Sequence, residues 1–224
     1  MNKILVVEDE NILREVIVDY LIDDGYQVLE AADGEKALEL FQSNSVDLVI
    51  LDIGLPKIDG WSVCRRIRKN SNIPIIILTA RSDEDDSILG YDLGADDYLV
   101  KPYSPRVLMA KVKRFLEKYS DTVDETLTSA GGININIGSR LVSVDGIVIN
   151  LTHTEFEILA YLMKNKGIVI TREQLISKIW GYDFYGDEKT VNSHIRNLRA
   201  KLGSKGSCIV TVIRSGYKFE EEQL

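Results

Sequence analysis

Five side chains with reactive groups stand at the ends of short apolar segments in the first half of the chain. They are three carboxylates, a hydroxyl and an amine: Glu8, Asp9, Asp52, Thr79 and Lys101. A carboxylate at the end of a buried strand costs free energy unless it has a partner or a chemical role. Grouped in one place, these side chains would suit a divalent cation next to a residue that accepts a phosphoryl group.

Asp52 is the candidate nucleophile, because it closes the apolar run 46–52. Glu8 and Asp9 would hold Mg²⁺, which prefers oxygen ligands and offsets the repulsion between neighbouring carboxylates. Lys101 would pair with a phosphoryl oxygen as a compact positive charge, and the Thr79 hydroxyl could turn toward the modified side chain. Any one of these residues alone is more often a solvated loop residue, but five at successive strand ends favour a functional site.

Alternating strands and amphipathic helices must bring these residues together. Strands are predicted at about 3–7, 26–30, 46–52, 74–79 and 96–101, and helices at about 10–23, 34–42, 60–69, 84–92 and 104–118. Five such units predict an α/β fold, a doubly wound five-stranded parallel sheet with helices on both faces. The carboxyl ends of its strands meet at one crevice, where ligands bind.

The pattern changes after the segment 119–130, which is polar and aperiodic and is predicted to link a first domain, 1–118, to a second, 131–224. The second domain is predicted to contain three short strands, three helices and two final strands, at about 133–137, 141–144, 147–149, 153–165, 172–180, 187–202, 208–213 and 217–220. This order of elements predicts an α+β domain.

The helix predicted at 187–202 is basic and amphipathic. One stripe is apolar, and the opposite face carries polar and basic side chains that include Lys189, Ser193, Arg196 and Asn197. Arginine and asparagine suit base edges and phosphates, and a small serine allows close approach. Such a helix is often only a solvated surface, but this one lies in the segment 186–218, which holds seven basic and two acidic residues. That charge favours a nucleic-acid partner.

Composition narrows the class of protein further. The 224 residues carry a formal net charge of -8, and residues 1–120 hold 22 acidic against 15 basic side chains. No run of 18 apolar residues occurs, so no membrane span is expected. The two cysteines, Cys64 and Cys208, lie in different predicted domains, which favours reduced thiols in a cytoplasmic protein over a disulfide.

The motifs of the first domain resemble the receiver domain of two-component response regulators. They are Glu8-Asp9, Asp52-Ile53-Gly54-Leu55-Pro56 with Asp59-Gly60, Thr79-Ala80, and Gly94-Ala95-Asp96-Asp97-Tyr98 with Lys101-Pro102. The resemblance implies a flavodoxin-like fold in which a sensor histidine kinase phosphorylates Asp52. It also implies a Mg²⁺ site formed by Glu8, Asp9, Asp52 and the main-chain carbonyl of Gly54, a switch pair formed by Thr79 and Tyr98, and a phosphate-binding lysine, Lys101.

Gly54 departs from the family pattern, which often has a bulky residue, commonly methionine, two positions after the phosphorylated aspartate. Less cover over an acyl phosphate would admit water more easily, so a short-lived phosphoryl state is expected. The resemblance also implies a homodimer formed on phosphorylation, through a face that includes Asp97, Lys111 and Arg114. A second charge pair that is usual there is missing, because its positions hold Ser87 and Val107.

The second domain resembles the winged helix-turn-helix domain of OmpR/PhoB-type regulators. The motifs are Leu151-Thr152-His153-Thr154-Glu155-Phe156, Thr171-Arg172-Glu173-Gln174-Leu175, Trp180-Gly181-Tyr182, Lys189-Thr190-Val191-Asn192-Ser193-His194-Ile195 and Leu198-Arg199-Ala200-Lys201-Leu202. The resemblance implies promoter DNA as a partner, with helix 187–202 in the major groove and the hairpin 209–219 as the wing. It assigns DNA contacts to Lys189, Ser193, Arg196, Asn197, Arg199 and Arg214, and an RNA polymerase contact to the loop 180–188.

Two other classes of protein compete with this interpretation. A phosphohydrolase with an aspartyl nucleophile would place a second acid two residues after Asp52, where this chain has Gly54, and it would have no use for a basic second domain. A dehydrogenase is disfavoured, because no glycine fingerprint follows the first strand. A regulator that no longer responds to phosphorylation stays open, although the complete acidic set argues against it. The sequence therefore predicts a regulator and not an enzyme.

Overall fold

The computed structural model of the chain describes residues 1–80, 93–116, 127–181 and 188–221. The chain divides into two compact units, Met1–Lys118 and Tyr119–Leu224. Within the described ranges, no helix is both long enough and apolar enough to cross a membrane.

The first unit is a parallel sheet of five strands with helices packed on both faces. The strands are β1 (Lys3–Val7), β2 (Gln27–Ala31), β3 (Leu48–Asp52), β4 (Ile75–Thr79) and β5 (Asp97–Val100). The described helices are α1 (Asn11–Asp23), α2 (Gly34–Ser43), α3 (Gly60–Arg68) and α4 (Pro105–Leu116). The strands lie in the order β2-β1-β3-β4-β5, so the predicted doubly wound fold is confirmed.

Burial explains why the central strands read as continuous apolar runs. Every residue of β3 and β4 is buried, because helices cover both faces of a parallel sheet. Two of the helices begin at acidic caps: Asp33 accepts from the Lys36 amide at the start of α2, and Asp59 accepts from the Ser62 amide at the start of α3. The helix predicted at 84–92 lies outside the described residues.

The second unit combines two small antiparallel sheets with three helices. Its strands are β6 (Leu127–Ala130), β7 (Ile133–Asn136), β8 (Leu141–Val144), β9 (Ile147–Ile149), β10 (Ile170–Thr171), β11 (Ile209–Val212) and β12 (Gly216–Phe219). Its helices are α5 (His153–Lys164), α6 (Arg172–Ile179) and α7 (Glu188–Leu202), and a short 3-10 helix follows at Gly203–Cys208. The sheet orders are β6-β7-β8-β9 and β10-β12-β11. This is the predicted winged-helix arrangement.

Strand β6 corrects one prediction, since it lies inside the segment assigned to the linker, 119–130. It pairs antiparallel with β7 through a turn at Gly131 and Gly132, both of which have positive φ angles. Glycine adopts that conformation at little cost, so the turn can be tight. The strand was missed because its sequence, Leu-Thr-Ser-Ala, is half polar and has no apolar pattern. It is a strand because it pairs with β7. Of the predicted linker, 119–126 lie outside the described residues.

Helices α5 and α6 begin with the same device, a reciprocal capping box. Thr152 and Glu155 form it at α5, and Thr171 and Gln174 form it at α6. Each box satisfies two main-chain amides that the first helical turn leaves without partners. The cap at Thr171 fixes the start of α6 directly after β10. The next helix in the chain, α7, carries most of the predicted DNA contacts.

Candidate functional site

The carboxyl ends of two adjacent strands, β1 and β3, build an acidic pocket in the first unit. Glu8 and Asp9 directly follow β1, and Asp52 is the last residue of the neighbouring strand β3. One carboxylate oxygen from each of the three residues lies within 4.8 Å of the other two. Lys101 follows β5 and reaches the same pocket, so the structure brings together four of the residues that the sequence singled out.

Lys101 is the internal counter-ion of this pocket. Its Nζ donates to Asp52 Oδ2 at 2.5 Å and to Glu8 Oε2 at 2.7 Å. Burial alone lowers the pKa of this lysine, but the hydrogen bonds to Asp52 and Glu8 outweigh it and raise the pKa above its ordinary value. The ammonium is therefore charged and holds two carboxylates at once.

The pKa of the Glu8 carboxyl is raised by its surroundings. Its side chain is fully buried, and burial raises its pKa from 4.5 to about 7, helped by the Asp52 charge and opposed by Lys101. One lysine thus does not neutralise the buried acids. A divalent cation fits this donor set, because all of its ligands would be carboxylate or carbonyl oxygens and its charge would hold Glu8 ionised.

Gly54 lies directly beside the Asp52 side chain. The Gly54 amide donates to Asp52 Oδ1 at 3.1 Å, and this orients the carboxylate. Among the described residues, a Cβ atom added at Gly54 would meet only that same oxygen within 4 Å, at 3.8 Å. Asp52 itself is buried, and a short-lived phosphoryl state stays a prediction.

Two supports of the pocket were missed from the sequence. A Cβ at Gly60 would lie 2.2 Å from the Asp52 carbonyl oxygen, so only glycine lets α3 start against the end of β3. On the other side, Arg14 of α1 donates to the Glu8 carbonyl at 2.7 Å and pairs with Glu30 at 3.3 Å. The arginine lies on a helix six residues beyond Glu8, and nothing local in the sequence links the two.

The predicted switch residues lie on neighbouring strands beside the pocket. Thr79 is buried at the end of β4, and Tyr98 is half-buried in β5. The register pairs Tyr98 with Ile77, two residues before Thr79, so the two side chains share one face of the sheet. The Lys101–Pro102 peptide bond that follows is cis.

The charged residues assigned to a dimer face are paired within one chain. Asp97 Oδ2 accepts from Lys111 Nζ at 2.7 Å and from Arg114 Nη2 at 2.8 Å. Asp97 and Lys111 are buried, whereas 27% of the Arg114 side chain is exposed. Arg114 is therefore the member of the set most accessible to a partner.

In the second unit, the residues predicted to contact DNA differ in how exposed they are on α7. Lys189 and Arg196 are exposed and Asn197 is half-buried, but Ser193 is only 4% exposed. The helix packs against both α5 and α6, which makes its buried face wider than its apolar stripe. Ser193 therefore lies on the core side of α7, and its contact with DNA stays a prediction.

Arg199 connects α7 to the hairpin β11–β12 instead of projecting from it. Its guanidinium donates to the Ile209 carbonyl at 2.5 Å and to Thr211 Oγ1 at 2.8 Å. These bonds hold the Arg199 side chain against the hairpin, and its contact with DNA stays a prediction. At the tip of the hairpin, Arg214 has a φ of 62°, and its neighbour Ile213 is 82% exposed.

A polar cluster between α6, α7 and β12 was not predicted as a unit. Arg172, Asn192 and Tyr217 contact one another although they are 20 to 45 residues apart in the chain. Arg172 and Asn192 fall within motifs quoted above for the family resemblance, and Tyr217 lies in the hairpin 209–219. Only their hydrogen bonds in the folded structure show that the three residues form a group.

Comparison with known proteins agrees with this division of the chain. Residues 4–113 match the family model of the response regulator receiver domain, and residues 146–219 match that of the transcriptional regulatory protein C-terminal domain. The transcriptional regulatory protein YclJ of Bacillus subtilis is 41% identical to this chain. The alignment covers 98% of this chain and all of YclJ. The sensory transduction protein RegX3 of Mycolicibacterium smegmatis is 39% identical with the same coverage. The response regulator DrrB of Thermotoga maritima, an OmpR/PhoB homologue, is 32% identical to this chain in sequence. Its crystal structure matches with a TM-score of 0.53, and the match covers 98% of this chain and 99% of the DrrB chain.

Proposed function

This chain belongs to the two-component response regulators of the OmpR/PhoB type, which are DNA-binding transcriptional regulators, and on that premise we propose that Asp52 is its phosphorylated residue. The observation that carries the proposal is the convergence of Glu8, Asp9 and Lys101 on the Asp52 carboxylate. The phosphoryl donor is a phosphohistidine on a sensor histidine kinase.

In the transfer, a carboxylate oxygen of Asp52 attacks phosphorus and forms the O–P bond of an acyl phosphate. The P–N bond to the donor imidazole breaks, and that imidazole keeps the electron pair and takes up a proton. Lys101 moves its hydrogen bond from the carboxylate to a phosphoryl oxygen, because the new group carries more negative charge. Mg²⁺ held by Glu8, Asp9, Asp52 and the Gly54 carbonyl would neutralise charge on the transferring group.

The response to phosphorylation begins with Thr79 and Tyr98. The phosphoryl oxygens are strong acceptors that draw the Thr79 hydroxyl inward, and Tyr98 on the same sheet face then repacks. This change biases the face that contains Asp97, Lys111 and Arg114 toward a homodimer. Two linked DNA-binding units then engage promoter DNA with a higher effective affinity.

DNA contacts are assigned to the basic residues that the second unit exposes. Lys189 and Arg196 lie on the outer face of α7, Asn197 borders it, and Arg214 stands at the tip of the hairpin that forms the wing. The loop 180–188 is the proposed contact with RNA polymerase, and most of it, 182–187, lies outside the described residues.

A labelling experiment tests the central assignment. The full chain is incubated with a small isotope-labelled phosphoryl donor and Mg²⁺, and the label is measured before and after treatment with hydroxylamine, which cleaves acyl phosphates. Wild type should take up one hydroxylamine-sensitive label, and Asp52→Ala should take up none. Asp19→Ala, which removes an exposed acid of α1, is the matched control and should label like wild type. Equal labelling of Asp52→Ala and wild type would refute Asp52 as the acceptor.

A further inference from the structure

The polar cluster of Arg172, Asn192 and Tyr217 sits where α6, α7 and the wing meet. Asn192 Oδ1 lies 3.0 Å from Arg172 Nε and 2.7 Å from the Tyr217 hydroxyl oxygen. Arg172 Nη2 lies 3.5 Å from that same hydroxyl oxygen. One residue from each of three elements thus forms a closed triangle of hydrogen bonds.

The chemistry of the three groups fixes the direction of each bond. A guanidinium has only N–H donors, so the Asn192 atom that faces Arg172 Nε must be the carbonyl oxygen and not the amide nitrogen. The Tyr217 hydroxyl accepts from Arg172 and therefore directs its own proton to Asn192. Both lone pairs of Asn192 Oδ1 are consequently occupied within the protein.

The cluster is rigid around its aromatic member. Tyr217 is 4% exposed, and two guanidinium carbons lie over its ring, that of Arg172 at 4.9 Å from the centroid and that of Arg199 at 5.7 Å. Arg199 is itself tied to the Ile209 carbonyl. The Asn192 carboxamide is therefore held in one orientation before any ligand arrives, which lowers the entropic cost of binding through it.

Asn192 nevertheless belongs to the outer face of α7. It is exposed, and it lies three residues after Lys189 and four before Arg196, positions that share one side of a helix. The carbonyl side of its carboxamide points to Arg172 and Tyr217. The amide nitrogen, with two N–H donors, takes no part in that triangle.

We infer that Asn192 reads base edges in the major groove as a donor only. This inference rests on the proposed role of α7 as the DNA-reading helix. Asparagine usually recognises adenine through two bonds, donating to N7 and accepting from N6. With its oxygen occupied, Asn192 lacks the acceptor for that pairing. Guanine presents two acceptors, N7 and O6, and is the base that matches two N–H donors.

Selection of binding sites from random DNA, with the full chain, tests the inference. Wild type should prefer guanine at one position of each half-site. Asn192→Ala should abolish that preference and lower affinity for the selected site about tenfold, which is typical for loss of one base contact. Because the amide is uncharged, neither affinity for unrelated DNA nor the salt dependence of binding should change.

Tyr217→Phe is the second variant, because it keeps the ring and removes the proton donated to Asn192. One of the two hydrogen bonds that orient the Asn192 carboxamide is lost, so the preference for guanine at the same position should weaken but not disappear. Thermal unfolding of both variants establishes that the second unit is folded.

Three results would overturn the inference, and each points to a different cause. An Asn192→Ala protein that loses affinity equally for all sequences would mean that the residue only braces the wing or contacts phosphate. Unchanged preferences in Asn192→Ala would remove the residue from the interface. Wild type that selects no sequence at all would refute the DNA-reading role of α7 itself, and with it this inference.

Discussion

At the scale of single residues, the balance of charge around Asp52 defines the pocket. Two of the three carboxylates, those of Glu8 and Asp52, share the ammonium of Lys101. Burial raises the pKa of Glu8 to about 7, helped by the Asp52 charge. A divalent cation beside these carboxylates would offset their repulsion, so the donor set is compatible with one. Gly54 adds no side chain to the surroundings of Asp52.

Gly54→Met should lengthen the lifetime of the phosphoryl group on Asp52. The methionine Cβ would lie 3.8 Å from Asp52 Oδ1, with no other contact within 4 Å among the described residues, and the side chain would shield the acyl phosphate from water. The main-chain carbonyl proposed as a metal ligand is kept. Decay of the isotope label after removal of the donor measures the effect.

Gly54→Ala is the matched control for that substitution, since it constrains the main chain similarly but adds little cover. Its decay rate should stay near that of wild type. If Gly54→Met decays as fast as wild type, the open space at this position does not set the lifetime.

At the scale of elements, the wing combines a residue that we propose contacts DNA with a strained turn. Arg214 adopts a left-handed conformation, with a φ of 62°, at the position that closes the hairpin between β11 and β12. Residues other than glycine adopt this conformation at a cost of about 1–2 kcal/mol. This chain has an arginine at a position where glycine would be more stable, which is consistent with a role for the side chain.

Two substitutions at Arg214 separate the effect of its side chain on DNA binding from the effect of backbone strain on stability. Arg214→Ala and Arg214→Gly should both weaken DNA binding and reduce the salt slope by about one unit, because each removes one phosphate-neutralising charge. Arg214→Gly should also have a free energy of unfolding about 1 kcal/mol higher than Arg214→Ala, since only glycine relieves the turn.

Binding isotherms over a series of salt concentrations and denaturant unfolding measure the two effects. A salt slope that both variants share with wild type would place Arg214 outside the interface. Equal stability of the two variants would show that the turn is not strained.

At the scale of the whole molecule, the proposed regulation couples two units that fold around separate cores. The acidic pocket lies in residues 1–118, and α7 lies in residues 119–224. In the proposed mechanism, phosphorylation of Asp52 affects DNA binding through dimerisation, because pairing of receivers makes the second DNA contact intramolecular. This mechanism requires no change in the structure of the DNA-binding unit.

Phosphorylation should therefore raise affinity for DNA that contains two half-sites and leave affinity for a single half-site nearly unchanged. Linking two DNA-binding units can raise the affinity for paired half-sites by a factor of roughly 10²–10⁴. Size-exclusion chromatography should show a dimer under the same conditions, and Arg114→Ala should reduce both the dimer and the gain in affinity.

Asp52→Ala is the control that cannot be phosphorylated, and it should bind both DNAs like the untreated wild type. An equal rise in affinity for single and paired half-sites would contradict the dimer mechanism and indicate a change within each DNA-binding unit.

The sequence by itself determined the parts of this protein that depend on local pattern. Alternating strands and helices fixed a parallel sheet, and acids at strand ends such as Asp52 had to meet at one edge of it. The cap at Asp33 and the boundaries of most helices follow from the same short-range physics. The family motifs added the winged-helix unit and the assignment of the phosphorylated residue.

Only the tertiary structure decided which side chains of α7 are accessible and what they contact. A helical period places Ser193 opposite the apolar stripe, yet packing against two helices buries it. The same packing turns Arg199 toward the wing and joins Asn192 to Tyr217, which is 25 residues away. Periodicity describes one helix against one neighbour, whereas burial and hydrogen-bond partners depend on every element that packs around it.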